Sequence, residues 1–217
     1  MKYKIEAVIF DMDGLIIDSE PLWRKAEIAA FKTIGYNFTE EMCIQTMGMR
    51  IDEVVHYWWG KFKWSSVSEE MIVNDIHSKM IDLIKSEGAI LSGVEKALKL
   101  LKSENIPLAL ASSSSKVLIE TVLNVLNIKS YFTIVHSAQD EIAGKPDPSV
   151  FLTTAKLLEI DPEKCLVLED SKAGMEAGLS ANMRTIVVPE KNTCPEWSTN
   201  AYSKLNSMND FSLDLLK

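Results

Sequence analysis

Five short apolar runs limit what this chain can fold into more than any other feature it has. Residues 4–10 (ending Ala-Val-Ile-Phe), 106–111, 132–135, 165–168 and 185–188 are of strand length, rich in strand formers and bounded by polar residues. Runs of that kind read as strands buried on both faces. Helical patterns fill the gaps, at 94–103, 117–126, 149–158 and 171–179. The alternation predicts an α/β fold, a Rossmann-like, doubly wound parallel sheet covered by helices on both faces. Pro107, Pro146, Pro148, Pro162 and Pro189 all fall at element edges, where a missing N–H does least harm.

One stretch breaks that rhythm. Between the first strand and Gly93 no strand pattern occurs, and four helices are predicted instead. Residues 20–34 read as a helix with Pro21 in its first turn. Asn37 with Glu40, and Ser66 with Glu69, fit capping pairs that open a short helix toward Met47 and a long one toward Lys85. Between them Ile51, Val54, Val55, Trp58 and Trp59 form a stripe on one helix face, which makes at least one of the two tryptophans core. The expected organisation is a core of residues 1–16 and 88–217 carrying a four-helix-bundle insertion at 17–87, hinged near 15–19 and 87–93.

Composition closes off several classes. With 217 residues, 47% hydrophobic and 25% charged, the chain is too apolar for disorder and long enough for a sizeable core. No apolar run approaches the roughly 20 residues of a membrane span. The first ten residues lack the apolar segment of a signal peptide, so the expected location is the cytoplasm. The net charge of −8, with no Lys/Arg cluster, speaks against nucleic acid. Cys43, Cys165 and Cys194 are too scattered for a disulfide framework or a metal pair and read as reduced thiols. His56, His77 and His136 share no ligand spacing, and Lys2 and Lys4 read as surface charge.

The chemistry gathers at the strand ends. Asp11-Met12-Asp13-Gly14 follows the first strand directly, so two carboxylates leave the sheet at its carboxyl edge, where open α/β sheets bind ligands. One such carboxylate can attack an electrophile and the other can pass protons. The strand at 106–111 runs into Ser112-Ser113-Ser114-Ser115 and then a helix, a local anion site. Gly144-Lys145-Pro146 presents a cation before another helix, and the strand at 165–168 ends in Glu169-Asp170-Ser171. Each of these alone reads equally well as a turn or a helix cap, but four on one sheet edge describe a site. Asp11, Asp13, Glu169 and Asp170 would crowd four negative charges, each close pair costing about 4 kcal/mol at an effective dielectric near 20. Lys145 offsets one charge. A divalent cation offsets two more, and an all-oxygen set suits Mg²⁺. The reaction class these residues point to is Mg²⁺-assisted phosphoryl transfer to a carboxylate.

Asp11-Met12-Asp13-Gly14, Ser112, Lys145 and Glu169-Asp170 resemble, in order and in strand context, the four motifs of the haloacid-dehalogenase superfamily. The resemblance covers essentially the whole chain, and the insertion resembles that superfamily's helical cap. Within its β-phosphoglucomutase-like branch, Asp18-Ser19-Glu20-Pro21-Leu22-Trp23 and Met47-Gly48-Met49-Arg50-Ile51-Asp52 resemble the bacterial 2-deoxyglucose-6-phosphatase (hexitol phosphatase) group. The resemblance implies Asp11 as nucleophile, Asp13 as acid/base, and Ser112, the Ser113 N–H and Lys145 as phosphate holders. It implies a metal site drawn from Asp11, Asp13, Asp170 and Glu169, the last acting through water or on Lys145. Glu20, Trp23 and Arg50 are the candidates to meet substrate from the cap side. The implied activity is a phosphatase of sugar or polyol phosphates such as 2-deoxyglucose 6-phosphate, hexose 6-phosphates and hexitol phosphates, acting as a monomer. β-Phosphoglucomutases carry a histidine where this chain has Trp23, and Lys-Asn where it has Ser115-Lys116, which favours hydrolysis over mutase chemistry. A phosphomutase and a non-catalytic phosphosugar-binding protein are the alternatives.

Overall fold

The central strand of the computed structural model, which describes residues 4–190 and 195–217, is wholly apolar. That strand, β1 (Ala7–Phe10), is buried along its whole length. The chain then makes four helices, α1 (Glu20–Thr33), α2 (Glu40–Gln45), α3 (Ile51–Phe62) and α4 (Glu69–Glu87), before returning to the sheet. There follow α5 (Val94–Ser103), β2 (Leu108–Ser112), α6 (Lys116–Val125), β3 (Ile134–Ser137), α7 (Ser149–Leu157), β4 (Cys165–Glu169), α8 (Lys172–Ser180), β5 (Arg184–Val187) and β6 (Ser203–Lys204).

The sheet order is β3-β2-β1-β4-β5-β6, and every pairing is parallel. Side chains alternate across it as the two-residue strand period requires. Val8 and Phe10 face one hydrophobic cluster with Leu110, Leu168 and Leu98; Ala7 and Ile9 face another with Val167, Val150 and Phe151. Successive elements travel outward from β1 in both directions, so the carboxyl ends of β1, β2 and β4 share the crevice at the switch point.

The expected doubly wound sheet with a helical insertion is therefore what forms. Differences are local. β6, missed in the sequence, is two residues long, too short for any pattern, and joins through Tyr202 N–H to Thr185 O (2.9 Å) and Leu205 N–H to Val187 O (2.9 Å). The capping pairs are displaced: α2 starts behind Thr39 with no side-chain cap, and α4 is capped by Ser68, whose hydroxyl accepts from Met71 N–H at 3.2 Å. Ser66 stands two residues too early to reach those amides. The stripe Ile51, Val54, Val55 and Trp58 is buried as expected, Phe38 meeting Trp58 edge to face at 5.1 Å. Trp59 is half-buried and donates to Trp64 O at 3.1 Å.

The two connections between core and insertion are tied to each other. Asp18 N–H donates to Ala89 O (3.0 Å) and Leu91 N–H to Ile16 O (2.9 Å). Cys43 and Cys165 are free and buried, whereas Cys194 and Lys2 lie outside the described residues. Among the described residues no helix is long and apolar enough to cross a membrane.

Candidate active site

Asp11 continues β1 out of the sheet, its N–H still bonded to Leu168 O at 2.9 Å. That register delivers the Asp11 carboxylate between β2 and β4. Lys145, on the turn before α7, reaches the same point although only 1% exposed. Its Nζ stands 2.5 Å from Asp11 Oδ1, 2.5 Å from Glu169 Oε1 and 3.4 Å from Ala111 O. Glu169 ends β4 fully buried. Its second oxygen accepts the N–H groups of Asp170 and Ser171 (both 2.9 Å) and the Ser171 hydroxyl (3.0 Å). Both Glu169 oxygens are thus occupied, and the side chain holds Lys145 up against Asp11.

Asp13 is held by side chains from three segments. Ser19 Oγ (2.8 Å) and Trp23 Nε1 (2.9 Å) donate to Oδ1, and Ser114 Oγ (2.8 Å) and Ser112 Oγ (3.4 Å) to Oδ2. Trp23 thus touches the proposed acid/base, more than the cleft-lining role its place in the sequence suggests. Ser113 instead donates its hydroxyl to Gly48 O at 2.8 Å, joining core to insertion. Two glycines permit this crowding. Gly14 (φ +70°) lies where a Cβ would strike the Asp170 carboxylate, and Gly48 (φ +82°) where one would strike Ser171.

A cleft lies over these groups. Its floor includes Asp11, Asp13, Glu169 and Asp170, and its upper wall Glu20, Trp23, Glu27, Cys43, Ile51 and Val54. Arg50, expected to face substrate, does not line it. Its Nη1 donates to Ala138 O and Glu141 O (both 3.0 Å), and Nε and Nη2 go to Asp52 (2.6 and 2.9 Å). Glu53 completes the clasp by accepting Gly144 N–H at 2.7 Å. The carbonyls of the 138–141 turn offer the Arg50 guanidinium fixed acceptors that no sequence pattern reveals.

Burial pushes the Asp11 and Asp170 carboxyls well above the ordinary range; Glu169 raises both further, and Lys145 opposes it. Burial alone would lower Lys145, but Asp11 and Glu169 outweigh it and raise the ammonium above its usual value. Glu20 is pushed up to about 8 by burial, then by Asp13 and Glu27, against Arg24. Carboxylate oxygens of Asp11, Glu169 and Asp170 lie within 4.8 Å of one another, and Asp170 Oδ2 is buried with no partner among the described residues. An oxygen-only set with an unpartnered buried carboxylate and a surplus of negative charge fits a hard divalent cation such as Mg²⁺.

Ser19, Ser114 and Glu27 are the site residues that sequence reasoning missed. Ser114 was visible in the serine run, and Glu27 as an acid among the buried positions Leu22, Ala26, Ala30 and Phe31 of α1. Burial pushes the Glu27 carboxyl from 4.5 up to about 7, partly offset by the Cys43 thiol and Arg24. The folded chain therefore binds the extra proton between those pH values, so stability falls as pH rises from about 4.5 to 7 and the full penalty remains above it. Glu27→Gln is expected to stabilise the protein by about 1–3 kcal/mol at pH 8, roughly 2–10 °C in Tm, and to give no gain at pH 4. Thermal melts at the two pH values check this; an equal shift at both would refute it.

The sequence model for haloacid dehalogenase-like hydrolases matches residues 8–188. Hexitol phosphatase B of Escherichia coli (strain K12) is 38% identical over 187 residues, 86% of this chain and 84% of that protein. The phosphorylated carbohydrates phosphatase of Thermotoga maritima is 33% identical over 184 residues, 84% of each chain. Among solved structures, the β-phosphoglucomutase of Clostridium difficile superposes with a TM-score of 0.84 at 29% identity, covering 97% of this chain and 94% of the other.

Proposed function

This chain belongs to the haloacid dehalogenase-like hydrolases, and on that premise we propose that it is a Mg²⁺-dependent phosphatase of small sugar or polyol phosphates. Hexitol phosphates, hexose 6-phosphates and 2-deoxyglucose 6-phosphate are the substrates proposed. One observation carries this: Asp11, 2.5 Å from a buried ammonium, shares a cleft floor with Asp13, and Asp13 is oriented by four donors. The names of the E. coli and T. maritima relatives support the substrate class.

In the proposed mechanism a carboxylate oxygen of Asp11 attacks phosphorus and the ester P–O bond breaks. The Asp13 carboxyl gives its proton to the departing alcohol oxygen. A water then attacks the phosphorus of the aspartyl phosphate, Asp13 takes the water's proton, and inorganic phosphate leaves with Asp11 restored. Ser112, the Ser113 N–H and Lys145 hold the phosphoryl oxygens, and Ser19, Trp23 and Ser114 keep Asp13 oriented. The carboxylates of Asp11 and Asp170 and the Asp13 carbonyl would hold Mg²⁺, with Glu169 acting on Lys145. When bound, Mg²⁺ offsets the carboxylate charge so that an anionic ester can approach the nucleophile. Residues 17–87 serve as a cap over the core of 1–16 and 88–217, clasped by Arg50 and Glu53.

The test is phosphate release from hexitol phosphates, hexose 6-phosphates, 2-deoxyglucose 6-phosphate and nucleotides. Release from the sugar and polyol esters is expected, and its absence from all of them would refute the substrate class. With β-glucose 1-phosphate, ³¹P NMR should show free phosphate, whereas glucose 6-phosphate would make the protein a mutase. EDTA is expected to cut hydrolysis at least about 100-fold, with recovery on excess Mg²⁺; indifference to chelation would remove the metal.

A further inference from the structure

Helix α1 carries more into the cleft than the mechanism uses. Glu20, Trp23, Arg24 and Glu27, at i, i+3, i+4 and i+7, all line it, as one helix face must. Trp23 sits at the reacting end, on Asp13. Glu27 lies one turn on, about 6 Å further along the helix axis. It is 7% exposed, and the wall it shares includes the apolar or nearly apolar Cys43, Ile51 and Val54. The Cys43 thiol beside it offsets only part of burial's push on the Glu27 carboxyl. Glu27 Oε2 is buried and has no partner among the described residues. Arg24, the cation on this wall, is turned to Glu190 (3.1 Å) and Glu20 (3.9 Å).

A buried carboxylate oxygen with no partner is costly. Burial's upward push on this carboxyl says the same from the side of stability. A group at such a position, lining a substrate cleft, is explained by what it meets there. The chemistry that fits is a hydroxyl donor several carbons from the phosphate ester. The chemistry that does not fit is a second phosphate, which would bring another anion against the carboxylate while Arg24 is already paired with Glu20 and Glu190.

We propose that Glu27 is a specificity-determining residue that accepts a hydrogen bond from a distal hydroxyl of the substrate and turns away bisphosphates. The inference rests on the phosphatase reading and deepens it, since a site that rejects bisphosphates is unsuited to a mutase intermediate carrying two phosphates.

The experiment compares kcat/KM of wild type, Glu27→Leu and Glu27→Gln at pH 8. The substrates are a hexitol 6-phosphate, p-nitrophenyl phosphate, glucose 6-phosphate and glucose 1,6-bisphosphate. Glu27→Leu is expected to lower the hexitol phosphate to p-nitrophenyl phosphate ratio about 10- to 100-fold, the size of one hydrogen bond to a charged group. Both variants are expected to raise the bisphosphate to monophosphate ratio about tenfold or more, since both remove the charge. Ratios within about threefold of wild type in both variants would overturn the proposal. If Glu27→Leu fails to fold, Glu27→Gln decides it through the bisphosphate ratio. A wild-type enzyme with no preference for the hexitol ester over p-nitrophenyl phosphate would instead sink the substrate class, and this inference with it.

Discussion

Asp11→Asn is expected to lower kcat by about 10⁴-fold or more and to leave the protein folded. An asparagine fills the same space but offers no carboxylate oxygen to phosphorus. Two neighbouring carboxylates are already engaged: Asp13 is held by Ser19, Trp23, Ser112 and Ser114, and Glu169 is bonded to Lys145, Asp170 and Ser171. The fold survives because Lys145 keeps its 2.5 Å partner in Glu169, so no buried charge is left uncompensated. Removing a carboxyl that burial already penalises also costs little. A second readout bears on the covalent step itself. Acid-quenched wild type reduced with borohydride during turnover should carry homoserine at position 11 by peptide mass spectrometry, and the variant should not. Turnover within tenfold of wild type would remove Asp11 as nucleophile.

Lys145→Ala is expected to remove activity by at least about 10³-fold and to destabilise the protein as well, which separates it from Asp11→Asn. Its ammonium is wholly enclosed, between Asp11 and Glu169 and 4.8 Å above the Phe151 ring. Truncation leaves two carboxylates facing each other without their cation. Breaking such a buried pair costs about 3–5 kcal/mol, roughly 6–20 °C in Tm for a chain of this length. The sign with pH follows. Without Lys145 the Asp11 carboxyl, raised by burial and held back by the lysine, titrates still higher in the folded chain than unfolded, so the loss is largest at neutral and alkaline pH and shrinks toward pH 4. Melts at pH 4 and pH 8 measure it; a pH-independent loss would mean the lysine contributes only its packing.

The layout of the sheet was legible because strand period and burial are local properties. Each apolar run announced itself within four to seven residues, and α5 falls on its expected span, Val94–Ser103. The acidic and serine motifs were legible for the same reason, since they abut those runs and inherit their direction. Capping was less so: two plausible caps a few residues apart, Ser66 and Ser68, differ only in backbone geometry at α4.

By itself, then, the order of residues determined an open parallel sheet with acidic, serine and lysine motifs at one edge and an inserted set of four helices, and it named the candidate carboxylates and lysine. Only the packed molecule decided which groups meet. Lys145 reaches Asp11 across 134 positions, Arg50 finds carbonyls 88 and 91 positions away, and Ser114 finds Asp13 from 101. Glu27 became part of the site through the same closure of helices over strands. Such contacts depend on how two bodies of the chain lie together, and that arrangement is encoded in the sum of many weak apolar contacts rather than in any stretch that can be read alone.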